Sequence, residues 1–275
     1  MRLKLFIFNS IKELIYKIPV LRDLYFVFKP YAFNIFKFLG LRRYLHKNLM
    51  PRIHPTKSLI IKFKKIYERK YFDENVNIAI EFLEKKILSA WKGHRYFALW
   101  LVKELKPTTI VDLGVDKGYS SFIFAAQKIG KVYGIDWFMG MSLHKKVKKK
   151  ERADYVSCMR YKRKIQRKFG IQNVTIIKGK FSEVAKKWKI PIDILHIDGT
   201  HIYEDVKEDY QIWSKFLNTN SVVLFHDTIK FEGVKQFFNE LELPKYNFTH
   251  SHGLGVASKN KDLILMIKKI YDISP

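Results

Sequence analysis

Apolar residues from residue 109 onward fall into five short runs, and longer stretches of mixed polarity separate these runs. A run that is continuously apolar, rather than alternating, fits a strand buried on both faces, as in a parallel sheet covered by helices. We therefore predict an α/β fold with five parallel strands. The predicted strands are TIVDLG (109–114), KVYGID (131–136), VTIIKG (174–179), IDILHID (192–198) and SVVLFHD (221–227).

Helical periodicity and one hairpin complete the predicted fold. NVNIAIEFLEKKILSAW (75–91) and RYFALWLVKEL (95–105) predict helices, and Lys106-Pro107 ends the second. The segment after the fourth strand predicts a helix with one apolar stripe facing the sheet. YNFTHSHGLGVASK (246–259) predicts two antiparallel strands joined at a His-Gly turn. The apolar stripe consists of Val206, Tyr210, Trp213 and Leu217.

The formal net charge of +26 is concentrated in two segments of the chain. Residues 1–70 carry 17 Lys/Arg against three Asp/Glu, a net of +14, and residues 141–170 carry 12 against two, a net of +10. The rest of the chain is therefore close to neutral. This distribution predicts a basic, aromatic-rich helical arm (1–70) joined to a main domain (71–275), with a basic helical insertion at about 138–170.

The arm interleaves cations with Phe and Tyr, and two interpretations of it stay open. Residues 1–45 either lie on an anionic membrane surface or form a helical cap on the main domain. No stretch approaches the ~18 uncharged apolar residues that a spanning helix requires. Asn9, Lys12 and Glu13 interrupt any signal-peptide core, and the single cysteine, Cys158, fits a reducing compartment. We expect a cytoplasmic protein, peripheral on the inner membrane face under the first interpretation.

Chemically active residues stand at the ends of the predicted strands. In open α/β sheets, ligands bind outside the carboxyl ends of the strands. Acids buried at such ends cost desolvation free energy unless they are partnered. Their presence at four of the five ends therefore indicates a ligand site. The strand ends are Asp112-Leu113-Gly114, Asp136, Gly179, Asp198 and His226-Asp227.

The first strand end, VDLGVDKGYSS, is a glycine turn that leads into a helix. It differs from the G-x-G-x-x-G turn of dinucleotide sites, because Asp116 stands where a second glycine would approach the pyrophosphate. It also lacks the G-K-[ST] of a Walker loop. A turn with Asp112 and Asp116 suits a cationic or neutral ligand, and Asp136 stands where such folds bind a ribose diol. A ribose without phosphate, beside a positive group, describes S-adenosylmethionine.

VDLGVDKGYSS resembles motif I of class I S-adenosylmethionine-dependent methyltransferases, and its G-x-x-x-G-Y-S form is similar to the catechol O-methyltransferase branch. HIDGTHIYEDVKEDY, followed by VLFHDT, resembles the branch of macrolide-sugar and rhamnosyl O-methyltransferases and cephalosporin-hydroxylase-like proteins. The resemblance covers roughly residues 85–260 and implies a Rossmann-like sheet flanked by helices. It also implies cofactor contacts from Asp112, Gly114, Gly118, Ser120, Asp136, Trp137, Gly179 and Phe181.

The same resemblance implies a divalent-cation site and a general base. In the relatives, the acid that ends the fourth strand and two residues that end the fifth hold the cation; here these are Asp198, His226 and Asp227. The residue three positions beyond the first ligand is the base, here His201. His226 departs from the carboxylate or amide common at its position, and imidazole suits Mn²⁺ or Fe²⁺ better than Mg²⁺. The metal requirement therefore stays open, and we expect His196, inside the strand, to be a core histidine.

These residues predict an enzyme that transfers a methyl group from S-adenosylmethionine to a hydroxyl of a sugar or glycan, assisted by Mg²⁺ or Mn²⁺. An alcohol must lose its proton to attack the sulfonium methyl, which the cation and His201 would assist. We expect His250 and His252, in the hairpin, near the acceptor. One alternative is a nucleic-acid methyltransferase, which is disfavoured because H-I-D-G-T-H stands in place of N-P-P-[YF]. Another is a membrane-associated protein that binds the cofactor without catalysis.

Overall fold

The computed structural model describes residues 71–139 and 155–271. From Phe72 onward, these residues belong to one compact unit of the chain. The predictions for the arm (1–70), including the membrane or cap role of residues 1–45, lie outside the described residues. The first part of the basic insertion, with its lysine run, also lies outside them.

The described residues contain one seven-stranded sheet. Its strands are β1 (Thr109–Leu113), β2 (Lys131–Asp136), β3 (Val174–Lys178), β4 (Ile192–Ile197), β5 (Leu217–His226), β6 (Lys245–Phe248) and β7 (Leu254–Ser258). Their order across the sheet is β3-β2-β1-β4-β5-β7-β6. Strands β1 to β5 are parallel, and β7 is antiparallel to both β5 and β6. The predicted five parallel strands and terminal hairpin are confirmed.

Helices cover both faces of the sheet and enclose two apolar cores. Because side chains alternate along a strand, Ile110 enters one core and Val111 enters the other. The α-helices among the described residues are α1 (Glu74–Lys86), α2 (Arg95–Leu105), α3 (Tyr119–Ala125), α4 (Tyr155–Phe169), α5 (Phe181–Ala185), α6 (Tyr203–Trp213), α7 (Glu232–Glu240) and α8 (Lys261–Tyr271). None of these helices is long and apolar enough to cross a membrane.

Two element boundaries differ from the sequence prediction. The helix predicted over 75–91 ends at Lys86, because Ser89 caps a new 3₁₀ helix, Ala90–His94, by accepting a hydrogen bond from Trp91 N. At the other boundary, Leu217 is the first residue of β5 rather than part of α6, and it pairs with Ile192. Both differences arise where tertiary contacts, rather than local periodicity, decide the backbone conformation.

His196 joins the end of β1 to the new 3₁₀ helix inside the core. Its Nδ1 lies 2.6 Å from Asp112 Oδ1, and its Nε2 accepts a hydrogen bond from Trp91 Nε1 at 3.0 Å. All three side chains are buried. His196 is therefore a hydrogen-bonded core histidine, as predicted, and it ties the segment before α2 to the site-bearing edge of the sheet.

Candidate functional site

The turn between β1 and α3 is built on two glycines with positive φ. Gly114 has φ +96°, and a Cβ there would lie 1.9 Å from the carbonyl oxygen of Asp198. Gly118 has φ +93°, and a Cβ there would lie 2.3 Å from the Phe122 ring. Only glycine combines this backbone conformation with so close an approach. The turn therefore packs directly on the backbone at the end of β4.

Asp136, at the end of β2, holds this turn through its carboxylate. Its Oδ2 accepts hydrogen bonds from Val115 N at 2.9 Å and Asp116 N at 3.0 Å, and its Oδ1 accepts one from Phe138 N at 2.7 Å. Burial raises the pKa of Asp136, while the three backbone donors oppose that rise. The predicted ribose ligand thus lies beside the predicted cofactor turn, with its orientation fixed by backbone amides.

The side chains of Asp112 and Ser120 are buried and hydrogen-bond to each other, so they do not line the space in front of the sheet. Asp112 Oδ2 accepts hydrogen bonds from Ser120 Oγ at 2.7 Å and from Ser121 Oγ, while its Oδ1 contacts His196. The Asp112 carboxylate is fully buried. These two predicted cofactor residues therefore hold the start of α3 in place, so their effect on a bound cofactor would be through the turn.

The remaining predicted cofactor residues bring the ends of β2, β3 and β4 together. Gly179 N donates to Asp136 O at 3.0 Å, which continues the β2–β3 pairing beyond the strands. Trp137 lies next to Asp136, and Lys180 Nζ lies 5.7 Å from the centroid of its ring. Phe181 packs on Gly199, where a Cβ would lie 2.8 Å from the phenyl ring. Trp137 and Phe181 are thus two aromatic residues that come shortly after the ends of β2 and β3.

Two acids and two histidines converge where β4 and β5 end. His201 Nε2 lies 2.8 Å from Asp227 Oδ2 and 3.9 Å from Asp198 Oδ1. His226 Nδ1 lies 3.3 Å from Asp198 Oδ1 and 3.6 Å from Asp227 Oδ2. The contact of His201 with Asp227 lacks the direction of a hydrogen bond and is a charge contact. The ring of His201 stacks on Phe231, with centroids 4.0 Å apart.

The charges of these four side chains are coupled. Burial alone would lower the pKa of His201 and of His226, but the two carboxylates outweigh burial and raise these pKa values to about 9 and about 10. Burial alone would raise the pKa of Asp198 and of Asp227, but the two histidines outweigh burial and hold both pKa values well below the usual range of an aspartate. By themselves, the four side chains carry two positive and two negative charges at neutral pH.

The donor atoms of this cluster suit a divalent cation. One atom from each of Asp198, His201 and Asp227 lies within 4.8 Å of the other two, so one ion can contact all three. His226 Nδ1 faces the same two carboxylates and offers a fourth donor. Carboxylate oxygens mixed with imidazole nitrogens suit Mn²⁺ or Fe²⁺ better than Mg²⁺. His201, predicted as the base, is thus also positioned as a ligand.

Solved methyltransferase structures share this fold. A protein of the caffeoyl-CoA O-methyltransferase type from Staphylococcus aureus superposes with a TM-score of 0.53, covering 74% of this chain and 100% of its own at 15% identity. A methyltransferase from Podospora anserina, in its SAH-bound form, has a TM-score of 0.51 and covers 76% of this chain and 99% of its own at 12% identity. At these identities, the likeness concerns the fold.

Part of the amino-acid sequence also matches a family of known proteins. Residues 111–228 match the sequence profile of a family described as a methyltransferase domain. Residues 111–228 are therefore similar to a methyltransferase domain. The match runs from β1 to just beyond β5, so it contains all the strand ends that carry the predicted site residues. The resemblance inferred from the sequence motifs is confirmed.

A curated relative extends the likeness beyond the methyltransferase domain proper. The uncharacterized protein y4gI of Sinorhizobium fredii is 33% identical over 194 residues, which amount to 64% of this chain and 20% of that protein. The chain thus spans about a fifth of the length of this relative.

The hairpin turn between β6 and β7 contacts the cluster of acids and histidines. His94 Nε2 and His226 Nε2 lie 3.1 Å and 3.3 Å from the carbonyl oxygen of Ser251. His252 Nδ1 lies 3.1 Å from Asp227 Oδ1, and the His250 ring stacks on His94 with centroids 4.7 Å apart. The sequence predicted that His250 and His252 lie near the site, but it indicated no role for His94 or Ser251.

This turn fixes the orientation of His226. Burial, and then the neighbouring His250 and His226, lower the pKa of His94 to about 2, so His94 is neutral and its Nε2–H donates to Ser251 O. The Nε2–H of His226 donates to the same oxygen, which leaves His226 Nδ1 facing Asp198 and Asp227. Residues with positive φ cluster here: Asp227 (65°), Ser251 (51°) and His252 (70°). Such conformations cost free energy and concentrate at functional sites.

Replacing Asp136 with alanine is expected to weaken binding of S-adenosylmethionine by about 1–3 kcal/mol, because buried hydrogen-bonding groups lose their partner. Titration calorimetry on the folded variant measures this loss. Asp193→Ala is the matched control, since Asp193 accepts hydrogen bonds from Thr108 N and Thr109 N at the opposite edge of the sheet. The control should lose stability but keep cofactor affinity. Unchanged affinity in Asp136→Ala would refute the ribose role.

Asp209, whose carboxylate lies near Gly199, is expected to make stability depend on pH. Burial, and then the charges of Asp205 and Glu208, raise the pKa of Asp209 from 3.8 to about 7. Its contribution to stability is therefore complete below pH ~4 and is lost as pH rises to ~7. Asp209→Asn should raise the free energy of unfolding at pH 8 by about 1–4 kcal/mol, with little change near pH 4. Urea unfolding of both proteins at the two pH values tests this, and parallel pH profiles would contradict it.

Proposed function

We propose that this chain transfers the methyl group of S-adenosylmethionine to a hydroxyl group of a sugar or glycan, with a divalent cation held by Asp198, His226 and Asp227. The observation that carries this proposal is the backbone contact between the glycine turn and Asp198. That contact places a cofactor-type turn immediately beside a cluster of two acids and two histidines. A donor and an ionisable hydroxyl can therefore meet at one point of the sheet edge.

In this proposal, His201 removes the proton of the acceptor hydroxyl. The proton moves to His201 Nε2, the oxygen forms a bond to the methyl carbon, and the electron pair of the broken carbon–sulfur bond stays on sulfur as S-adenosylhomocysteine. The stacking of His201 on Phe231 holds the imidazole plane during the transfer. Asp136 and the glycine turn hold the donor, so that the two reacting atoms are kept in line.

A divalent cation would act on this site in two ways. It would stabilise the negative charge that develops on the acceptor oxygen. Asp198 and Asp227 would hold the ion, and its positive charge would offset these carboxylates, which raise the pKa of His201 to about 9; the neutral imidazole that a base requires would then be favoured.

The sugar-type acceptor is supported by the chemistry around the cluster. His252, whose side chain is 40% exposed, reaches Asp227 from the hairpin and adds a polar group beside His201. A hydroxyl-rich acceptor can hydrogen-bond to several such groups at once, whereas a flat apolar acceptor would need an aromatic slot.

The proposal is tested by incubating the full-length protein with methyl-labelled S-adenosylmethionine and a glycan and glycolipid extract, with and without EDTA. Labelled product should form and be identified as a methyl ether on a sugar hydroxyl. The His201→Ala protein serves as the control for non-enzymatic labelling. Label that appears on nitrogen or on nucleic acid, rather than on a hydroxyl, would overturn the proposal.

A further inference from the structure

The exposed side of α4 carries an unusually one-sided charge. This 15-residue helix contains six cations and no acid. Five of them are exposed and recur on neighbouring turns, at spacings of three or four residues that bring them to one side of a helix. The cations of α4 are Arg160, Lys162, Arg163, Lys164, Arg167 and Lys168.

These cations lack ion-pair partners among residues 71–139 and 155–271, which distinguishes them from a few other cations of the same residues. Lys235, for example, lies 3.2 Å from Glu232. Lys168 instead lies over the rings of Phe82 and Phe169. Like charges on successive turns repel each other. An anionic surface against this helix face would relieve that repulsion and so lower the free energy.

The first turn of α4 lies at the site-bearing edge of the sheet. The Tyr155 ring is 5.0 Å from that of Phe138, which follows β2, and Lys178 Nζ at the end of β3 lies over the same tyrosine. Farther along the helix, Tyr161 Oη donates to Lys86 O at the end of α1. Phe169 contacts Phe82, one turn earlier in α1. Helices α1 and α4 therefore pack antiparallel, with the end of α1 beside the first half of α4.

Exposed apolar side chains occur in α4 and in the segments next to its contacts. Leu88, two residues beyond α1, is 86% exposed; Val156 in the first turn of α4 is 62% exposed; and Met139, beside Phe138, is 57% exposed. Val156 is aligned with the cations, because it lies four and seven residues before Arg160 and Arg163. Apolar side chains at one end and unpaired cations along the rest are typical of a helix that lies in a membrane interface.

We propose that this surface, formed by the exposed face of α4 with Leu88 and Met139, docks the protein on an anionic lipid bilayer. The cations contact headgroup phosphates, while Leu88, Met139 and Val156 enter the upper part of the acyl region. This orientation brings the site-bearing edge of the sheet to the bilayer. Nucleic acid fits the surface less well, because single strands are bound by exposed aromatic rings, whereas the exposed apolar residues here are aliphatic.

Flotation of the full-length protein with lipid vesicles tests the proposal without reference to catalysis. Partitioning onto phosphatidylglycerol vesicles is compared with partitioning onto phosphatidylcholine vesicles, at low and high salt. The combined variant Arg160→Glu, Arg163→Glu and Arg167→Glu should lower partitioning onto anionic vesicles at least about tenfold. Leu88→Ser with Val156→Ser should lower chiefly the binding that persists at high salt.

The matched control reverses three lysines in a segment that packs on the opposite face of the sheet from α4. Lys186→Glu, Lys187→Glu and Lys189→Glu change the net charge by the same amount at exposed positions that follow α5. The control should keep vesicle binding within about twofold of the unmodified protein, and circular dichroism should show that both variants are folded. Equal losses in the two triple variants would overturn the proposal, because binding would then depend on net charge or on other segments. Failure of the full-length protein to float, or binding to single-stranded nucleic acid in preference to vesicles, would also overturn it.

Discussion

Replacing His201 with alanine is expected to slow methyl transfer by roughly 10²–10⁴-fold while leaving the affinity for S-adenosylmethionine unchanged, as loss of a general base does. The reason is positional. His201 lies against Asp227 and Asp198, at the ends of β4 and β5, whereas the predicted cofactor residues lie at the glycine turn and the ends of β2 and β3. Single-turnover assays with labelled cofactor, paired with calorimetry, separate the two effects.

His252→Ala is the matched control for this prediction. His252 also contacts Asp227, at 3.1 Å, but it is more exposed than His201. Its loss should slow turnover by less than about tenfold. Added imidazole should partly restore the His201→Ala enzyme, since a small base can occupy the space left by the side chain. If His201→Ala retains full turnover, the base lies elsewhere.

The variants Asp198→Asn and Asp227→Asn are expected to weaken binding of Mn²⁺ by at least about 100-fold, because each removes a charged oxygen ligand from a site with only two carboxylates. Electron paramagnetic resonance of free Mn²⁺ measures this binding without any assay of activity. Asp116→Asn is the charge-matched control: Asp116 lies on the glycine turn and pairs with Lys117 at 3.7 Å. It should bind Mn²⁺ like the unmodified protein.

The outcomes of this experiment separate the cation from the base. Unchanged Mn²⁺ binding in both variants would show that these acids do not form the metal site. Full activity in EDTA, together with an inactive His201→Ala protein, would remove the cation from the mechanism and leave the proton transfer intact.

The sequence predicted the sheet well because an aspartate or a glycine marks the end of each parallel strand. The run KVYGID coincides with β2, since the apolar run stops at Asp136 and the buried backbone leaves little choice of register. The strand ends also carry the chemistry, so the cluster of Asp198, His201, His226 and Asp227 follows from parallel topology alone. Local patterns and tertiary structure agree in this part of the chain.

The parts that sequence reasoning missed depend on contacts between distant segments. Nothing near Trp91 signals that its indole bonds to His196, 105 residues later, although this bond helps to hold the 3₁₀ helix that replaces the end of a predicted helix. The contact of His94 with Ser251 spans 157 residues. A periodicity window cannot detect either contact, so the residues that orient His226 required the folded structure.

The contact between Gly114 and Asp198 also limits how this protein could diversify. Because a Cβ on Gly114 would lie 1.9 Å from the Asp198 carbonyl oxygen, main-chain atoms set the spacing between the glycine turn and the acid cluster, and no side-chain exchange can adjust it. A substitution at Gly114 would therefore disturb the glycine turn and the acid cluster together. Under the proposed function, a different acceptor would therefore have to be accommodated at the β6–β7 turn, which carries His250 and His252, while the distance between the methyl donor and the acid cluster stays the same.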